Sequence, residues 1–115
     1  MISAHGALEG AILTTLWKLE EKGFVLNTVK DVFDNMDNEK RAYTTIKTVM
    51  DRLCAKKILL RQKKGKRYFY KTAFSNREII IHSLNDISKK YCCGNLSRLF
   101  EILDTMQETR LSAGA

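Results

Sequence analysis

The sequence predicts a mainly α fold carrying one small β-hairpin, and three features support this. Apolar residues recur at helical spacing in five stretches of the chain. Two short runs, Ile58-Leu59-Leu60-Arg61-Gln62 and Arg67-Tyr68-Phe69-Tyr70-Lys71, flank Lys63-Lys64-Gly65-Lys66, where Gly65 can supply the positive φ of a hairpin loop. Proline is absent and glycine sparse, so no long linker is expected.

Leu8, Ile12, Leu13, Leu16 and Trp17 mark the first helix, and Gly23 stands where a helix C-terminus favours glycine. Phe24-Val25-Leu26 reads as a short extended stretch. Thr28 followed by Asp31 signals a helix start with an acid in its first turn. Val29, Val32, Phe33 and Met36 mark that short second helix, and Asp37-Asn38-Glu39-Lys40 is a polar turn. A third helix is predicted from about Ala42 to Lys57, with Ile46, Val49, Met50 and Leu53 as its buried stripe. Its opposite face carries Thr44, Lys47, Thr48, Asp51 and Ala55, with Arg41 and Arg52 at the margins. Threonines are more frequent on that face than solvation requires. In the second strand, alternation puts Tyr68 and Tyr70 on one face and Phe69 on the other. Ser75-Asn76-Arg77-Glu78 reads as a capping box opening a long helix with Ile80, Ile81, Leu84, Ile87 and Tyr91 on its apolar side. Gly94 breaks it, and Asn95 caps a last helix bearing Leu96, Leu99, Phe100, Ile102, Leu103 and Met106. The tail from Leu111 is expected to fray.

Charge narrows the function. Residues 56–71 hold eight Lys or Arg and no Asp or Glu, while the segments on either side are close to neutral, so the net charge of +7 sits on the hairpin and its approach. A charge that concentrated predicts a polyanion-binding surface. With 44% hydrophobic and 29% charged residues, the 115-residue chain has the balance of an ordinary globular domain. No apolar run approaches the roughly 20 residues a membrane span needs, and no secretory signal follows Met1. Three cysteines, two of them adjacent, do not make a disulfide framework. A reducing cytoplasm is the expected compartment.

Helix, short strand, helix, helix, basic hairpin and two further helices is the order of a winged helix-turn-helix with a helical appendage. The expected division is a DNA-binding domain over residues 1–73 and a helical dimerisation region over 74–115. The terminal helices are too apolar to stand alone in water, and pairing with the same helices of a second chain would cover them. Ile80, Leu84, Ile87, Tyr91, Leu96, Leu99, Phe100 and Leu103 are the residues expected at that homodimer interface.

These residues support a resemblance. Gly6-Ala7-Leu8-Glu9 with Leu16-Trp17 looks like the opening helix of the penicillinase-repressor family of winged-helix regulators, the BlaI/MecI/CopY group. The run Ala42-Tyr43-Thr44-Thr45-Ile46-Lys47-Thr48-Val49-Met50-Asp51-Arg52-Leu53 is similar to its recognition-helix signature. Lys64-Gly65-Lys66-Arg67-Tyr68-Phe69-Tyr70 resembles its wing, and Ser75-Asn76-Arg77-Glu78 the start of its dimerisation region. The likeness covers roughly residues 6–95. It implies a homodimeric repressor that places helix three of each subunit in a major groove of a pseudo-palindromic operator. Relief by proteolysis in the C-terminal helices or by a metal ion is also implied, and an upstream signalling protease or a ligand is a further candidate partner that the sequence does not identify. The Asn-Phe pair cleaved in the penicillinase branch is absent, with Glu101-Ile102 at the nearest positions. The copper branch's Cys-x-Cys hooks have only Cys92-Cys93 as a counterpart. The resemblance therefore carries over fold, dimer and DNA binding, and not β-lactam or copper sensing.

The expected partner is double-stranded DNA. Arg41, Tyr43, Thr44, Thr45, Lys47, Thr48 and Arg52 are the candidate recognition-helix contacts, since the first turns of such a helix meet base edges. Threonine can bond a base or touch a thymine methyl, and lysine favours guanine. Lys63, Lys64, Lys66, Arg67 and Tyr68 are the candidate wing contacts to phosphate. Asp51 is expected to pair within its helix or with the wing. Cys54 and Trp17 read as core, and His5 has no expected role. Cys92 and Cys93 read as small apolar residues near a helix end, since adjacent cysteines do not readily close a disulfide or hold a tetrahedral metal alone. No cofactor or metal is expected, and no catalytic constellation is present, so an enzyme is not expected. Two rival classes are a metal- or redox-responsive DNA-binding sensor using Cys92 and Cys93, and a winged-helix protein–protein adaptor.

Overall fold

The computed structural model describes residues 4–36 and 41–114. Its elements are α1 (Ala4–Glu21), α2 (Val29–Asn35), α3 (Tyr43–Ala55), β1 (Leu59–Lys64), β2 (Arg67–Thr72), α4 (Asn76–Tyr91) and α5 (Leu96–Gly114). They fall into two compact units, Met1–Asn76 and Arg77–Ala115.

In the first unit the apolar stripes converge as their spacing requires. Leu8, Ile12, Leu13 and Leu16 of α1 pack with Val29 and Val32 of α2 and with Ile46, Val49, Met50 and Leu53 of α3. Leu59 and Tyr70 of the hairpin close the same cluster, with Trp17, Cys54 and Ile58 partly buried against it. The Trp17 Nε1–H donates to the Phe74 carbonyl at 3.0 Å, so the indole is both packed and satisfied.

Two helices end in the same way. After α1, Phe24 N–H bonds Leu19 O and Gly23 N–H bonds Glu20 O, with Gly23 at φ +103°. After α3, Ile58 N–H bonds Leu53 O and Lys57 N–H bonds Cys54 O, with Lys57 at φ +64°. Both are Schellman endings, the second with lysine where glycine is usual. This is why α3 stops at Ala55 and does not reach Lys57. It also removes the short strand expected at Phe24-Val25-Leu26. Phe24 is used in the α1 ending, and Asn27 Nδ2 ties back to its carbonyl at 2.7 Å. Only Asn27 reaches the hairpin, as an isolated bridge to Tyr70 with bonds of 3.0 and 2.7 Å. At α2, Thr28 and Asp31 form a reciprocal capping box. The polar turn at residues 37–40 lies outside the described residues.

The antiparallel register pairs Leu59 with Thr72 through Lys64 with Arg67. The strands therefore run further than expected, and the loop is only Gly65-Lys66. Gly65 has φ +64° and Lys66 does not share a positive φ, the arrangement of a two-residue type II′ hairpin. Glu20 anchors the far end of β2 to α1, accepting from Thr72 N at 2.8 Å and Thr72 Oγ1 at 2.6 Å.

The second unit is a helical pair. α4 starts directly after Ser75, with Glu78 in its first turn. Asn95 Oδ1 caps α5, accepting from Ser97 N and Arg98 N at 3.0 and 3.3 Å. Between them Cys93 and Gly94 take successive positive φ values of 53° and 80°. Ser88 and Leu99 are buried and Leu84 is partly buried, but Ile80, Ile87, Tyr91, Leu96, Phe100 and Leu103 are exposed, Phe100 by 70%. The tail expected to fray from Leu111 is helical to Gly114, and Ala115 lies outside the described residues.

Candidate nucleic-acid interface

The outer face of α3 is the first half of the site. Ile46, Val49, Met50 and Leu53 hold the helix to the core, which forces Tyr43, Thr44, Thr45, Lys47 and Thr48 outward. Arg41, just before the helix, is also exposed, and Arg52 is half-buried. The N-cap, Ala42, makes no side-chain hydrogen bond, so its side chain does not cap the electropositive first turn of α3. Thr44, Thr45, Thr48, Val49 and Arg52 line a shallow open depression. The Thr48 hydroxyl donates to Thr44 O at 2.9 Å, which leaves its lone pairs as acceptors for an external donor. The Tyr43 ring meets Phe33 of α2 edge-on, with centroids 5.9 Å apart, and remains half-exposed.

The hairpin is the second half. Lys63, Lys64, Lys66, Arg67 and Tyr68 are all exposed. Cross-strand register puts Arg61, Lys63, Tyr68 and Tyr70 on one face. There the Tyr68 ring receives Arg61 Cζ at 4.7 Å and Lys63 Nζ at 5.6 Å from its centroid, so Tyr68 is a platform for two wing cations.

Asp51 joins the two halves. Its carboxylate accepts from Lys47 Nζ at 2.8 Å, from Tyr70 Oη at 3.0 Å and from Arg61 Nη1 at 3.3 Å. Burial pushes the Asp51 carboxyl up, but the hydrogen bonds from Lys47 and Tyr70 and the nearby Lys47 and Arg61 charges outweigh it and hold the group below the ordinary carboxylate value. Burial, followed by the Asp51 hydrogen bond and charge, pushes the Tyr70 phenol up to about 12. Asp51, expected to pair within its helix or with the wing, does both.

A groove of about 380 Å³ runs between these parts. Tyr43 and Lys47 line it from α3, Lys66, Arg67, Tyr68 and Tyr70 from the hairpin, and Thr28, Val29 and Lys30 from the start of α2. The first turn of α2 and Arg61 were not among the residues expected at the site. The Thr28/Asp31 pattern announces a helix start, but only the Asn27–Tyr70 bridge carries that start to the wing.

The cysteines take no part in this surface. Cys54 is partly buried against the core, and burial pushes its thiol up. Cys92 is half-buried and Cys93 exposed at the α4–α5 turn. Among the described residues no group of three His, Cys, Asp or Glu is placed to hold a metal. No helix of the described residues is long and apolar enough to cross a membrane. The side chain of His5 lies outside the described residues.

Two helices joined by a turn, a core-facing third helix and a basic hairpin at its edge define a winged helix-turn-helix protein. The chain belongs to the penicillinase repressor family, whose model matches residues 5–113. Membership implies a DNA-binding transcriptional repressor, and the family is one of repressors, not of enzymes. No curated protein matches the chain.

Proposed function

We propose that this chain is a homodimeric repressor that reads a pseudo-palindromic operator in double-stranded DNA. The observation that carries the reading is the common groove of α3 and the hairpin, where Lys47, Lys66 and Arg67 line one surface with Tyr43 and Tyr68. α3 supplies base readout through Thr44, Thr45, Lys47 and Thr48, with Arg41, Tyr43 and Arg52 at its edges. The wing supplies phosphate affinity through Lys63, Lys64, Lys66 and Arg67, and Tyr68 steadies its cations. Residues 1–73 are the DNA-binding domain, and residues 74–115 pair two subunits through the apolar residues exposed on α4 and α5. Two reading heads about one helical turn of DNA apart, roughly 34 Å, meet the two half-sites. The cytoplasm is the compartment this function requires.

The test is fluorescence anisotropy on the duplex upstream of the protein's own gene and on a scrambled duplex across a salt series. Saturable binding to the native duplex at one dimer per site supports the repressor. Equal, weak binding to both would remove the reader and favour an adaptor role for the wing.

A further inference from the structure

Lys47 is the lysine on the reading face of α3, yet its ammonium is held by Asp51, one turn further along the same helix. That pair is half-exposed on the lysine side, at 51% of the side chain. The carboxylate has other partners besides Lys47, because Tyr70 Oη and Arg61 Nη1 reach the other oxygen, Oδ1, while Lys47 uses Oδ2. If Lys47 leaves, Asp51 keeps two hydrogen-bond donors and one cationic partner. If Asp51 were absent, Lys47 would be an open cation in the groove that holds Lys66 and Arg67, and Arg61 would keep its place on the Tyr68 ring without its carboxylate.

We propose that Asp51 is a positioning residue that sets specificity: it keeps Lys47 off the phosphates of arbitrary DNA and releases it only to a base acceptor in the cognate site. The inference rests on the assignment of α3 as the reading helix. The physical argument is competition between acceptors. A carboxylate already in place cancels part of the positive charge of Lys47 and Arg61 and lowers the attraction of this face for any passing phosphate, which is discrimination against wrong sites by cancelled charge and an occupied donor. A guanine edge in the correct register offers two acceptors to the lysine and can draw it off Oδ2, while Arg61 and Tyr70 keep the carboxylate satisfied. Tyr70, fixed in the core, prevents Asp51 from following the lysine.

The experiment measures native and scrambled duplex affinities against salt for the full-length protein and for Asp51→Asn, Asp51→Glu and Lys47→Gln. For Asp51→Asn, binding to the scrambled duplex should tighten by roughly tenfold at 0.1 M salt, and its log–log salt slope should steepen by about 0.9 per subunit for each lysine or arginine released. The native-over-scrambled ratio should shrink accordingly. Asp51→Glu keeps a carboxylate within reach of Lys47 and should restore both the slope and the ratio, which a packing role alone would not require. Lys47→Gln should weaken the native duplex at least tenfold and leave the scrambled affinity and slope unchanged. It tests the same idea without disturbing Asp51, should Asp51→Asn fail to fold. An Asp51→Asn protein with wild-type slope and ratio overturns the inference alone. So does a Lys47→Gln protein whose scrambled slope falls by about 0.9 per subunit, since Lys47 would then already sit on phosphate. A wild-type protein with no preference for the native duplex overturns the reading helix itself, and this inference with it.

Discussion

Tyr70 joins the core to the interface. Its ring is 1% exposed among the apolar side chains of three helices, and its hydroxyl donates to Asp51 at 3.0 Å. Tyr70→Phe keeps the ring and removes a donor to an ionised carboxylate, so it should lower stability by about 1.5–3 kcal/mol, read as a lower urea midpoint with an unchanged slope. The phenol's value of about 12 also fixes a pH dependence. Its neutral form is favoured in the fold, so its contribution is complete below about pH 10, where free tyrosine titrates, and is lost as pH rises through about 12. A titration of tyrosinate absorbance should show one late-ionising group that Tyr70→Phe removes. Asp51 has the opposite sign. Its folded value is depressed, so its contribution is present above about pH 4 and is lost as acid protonates it. At this scale the period-two pattern showed that Tyr68 and Tyr70 share a face. It did not show that one is a buried strut and the other an exposed platform, because that depends on which end of the strand crosses the core.

At the scale of elements, the two Schellman endings can be compared directly. Gly23 takes its left-handed conformation without a side-chain penalty, whereas Lys57 carries one at φ +64°. Lys57→Gly should therefore raise stability by up to about 1 kcal/mol, measured by chemical denaturation. The proposed function gives the hairpin and α3 different work. Reversing Lys64, Lys66 and Arg67 to Glu should abolish binding to every duplex, because phosphate contacts carry no sequence information. Changing Thr45 and Lys47 to Ala should weaken the native duplex more than the scrambled one in the same titration. Identical behaviour of the two sets would refute that division. The helices were legible from residue spacing, since helix formation is decided by neighbours three and four positions apart. The strand expected at Phe24-Val25-Leu26 was not, because the C-terminal ending of α1 takes Phe24 and the Asn27 side chain bends what remains.

For the whole molecule the exposed apolar residues of α4 and α5 set the expectation. Phe100, at 70% exposure, and Tyr91, at 66%, are poor candidates for permanent contact with water. Sedimentation equilibrium should return a dimer, and Phe100→Asp with Leu103→Asp should return a monomer that keeps the helical content of its first unit. If dimer-bound DNA engages six to ten phosphates in total, affinity should fall by roughly 10³–10⁵ between 50 and 200 mM salt. The monomer should show about half that slope. The concentration of basic residues in 56–71 made a polyanion partner legible before any fold was known, since net charge along a short segment stays local whatever the chain does around it.

The sequence alone determined the order of helices and hairpin, the Thr28/Asp31 cap, the glycine turns and the location of the charge. Each of these is settled by residues close to one another in the chain, through period, capping or the tolerance of glycine for positive φ. The tertiary structure decided which charges are spoken for and which remain. Asp51 meets Arg61 and Tyr70 from the hairpin, ten and nineteen residues away. The start of α2 reaches the wing through a single bridge, and α3, hairpin and α2 come to share one groove. Those contacts depend on strand register and helix packing around a common core, and neither is written in the spacing of any one segment.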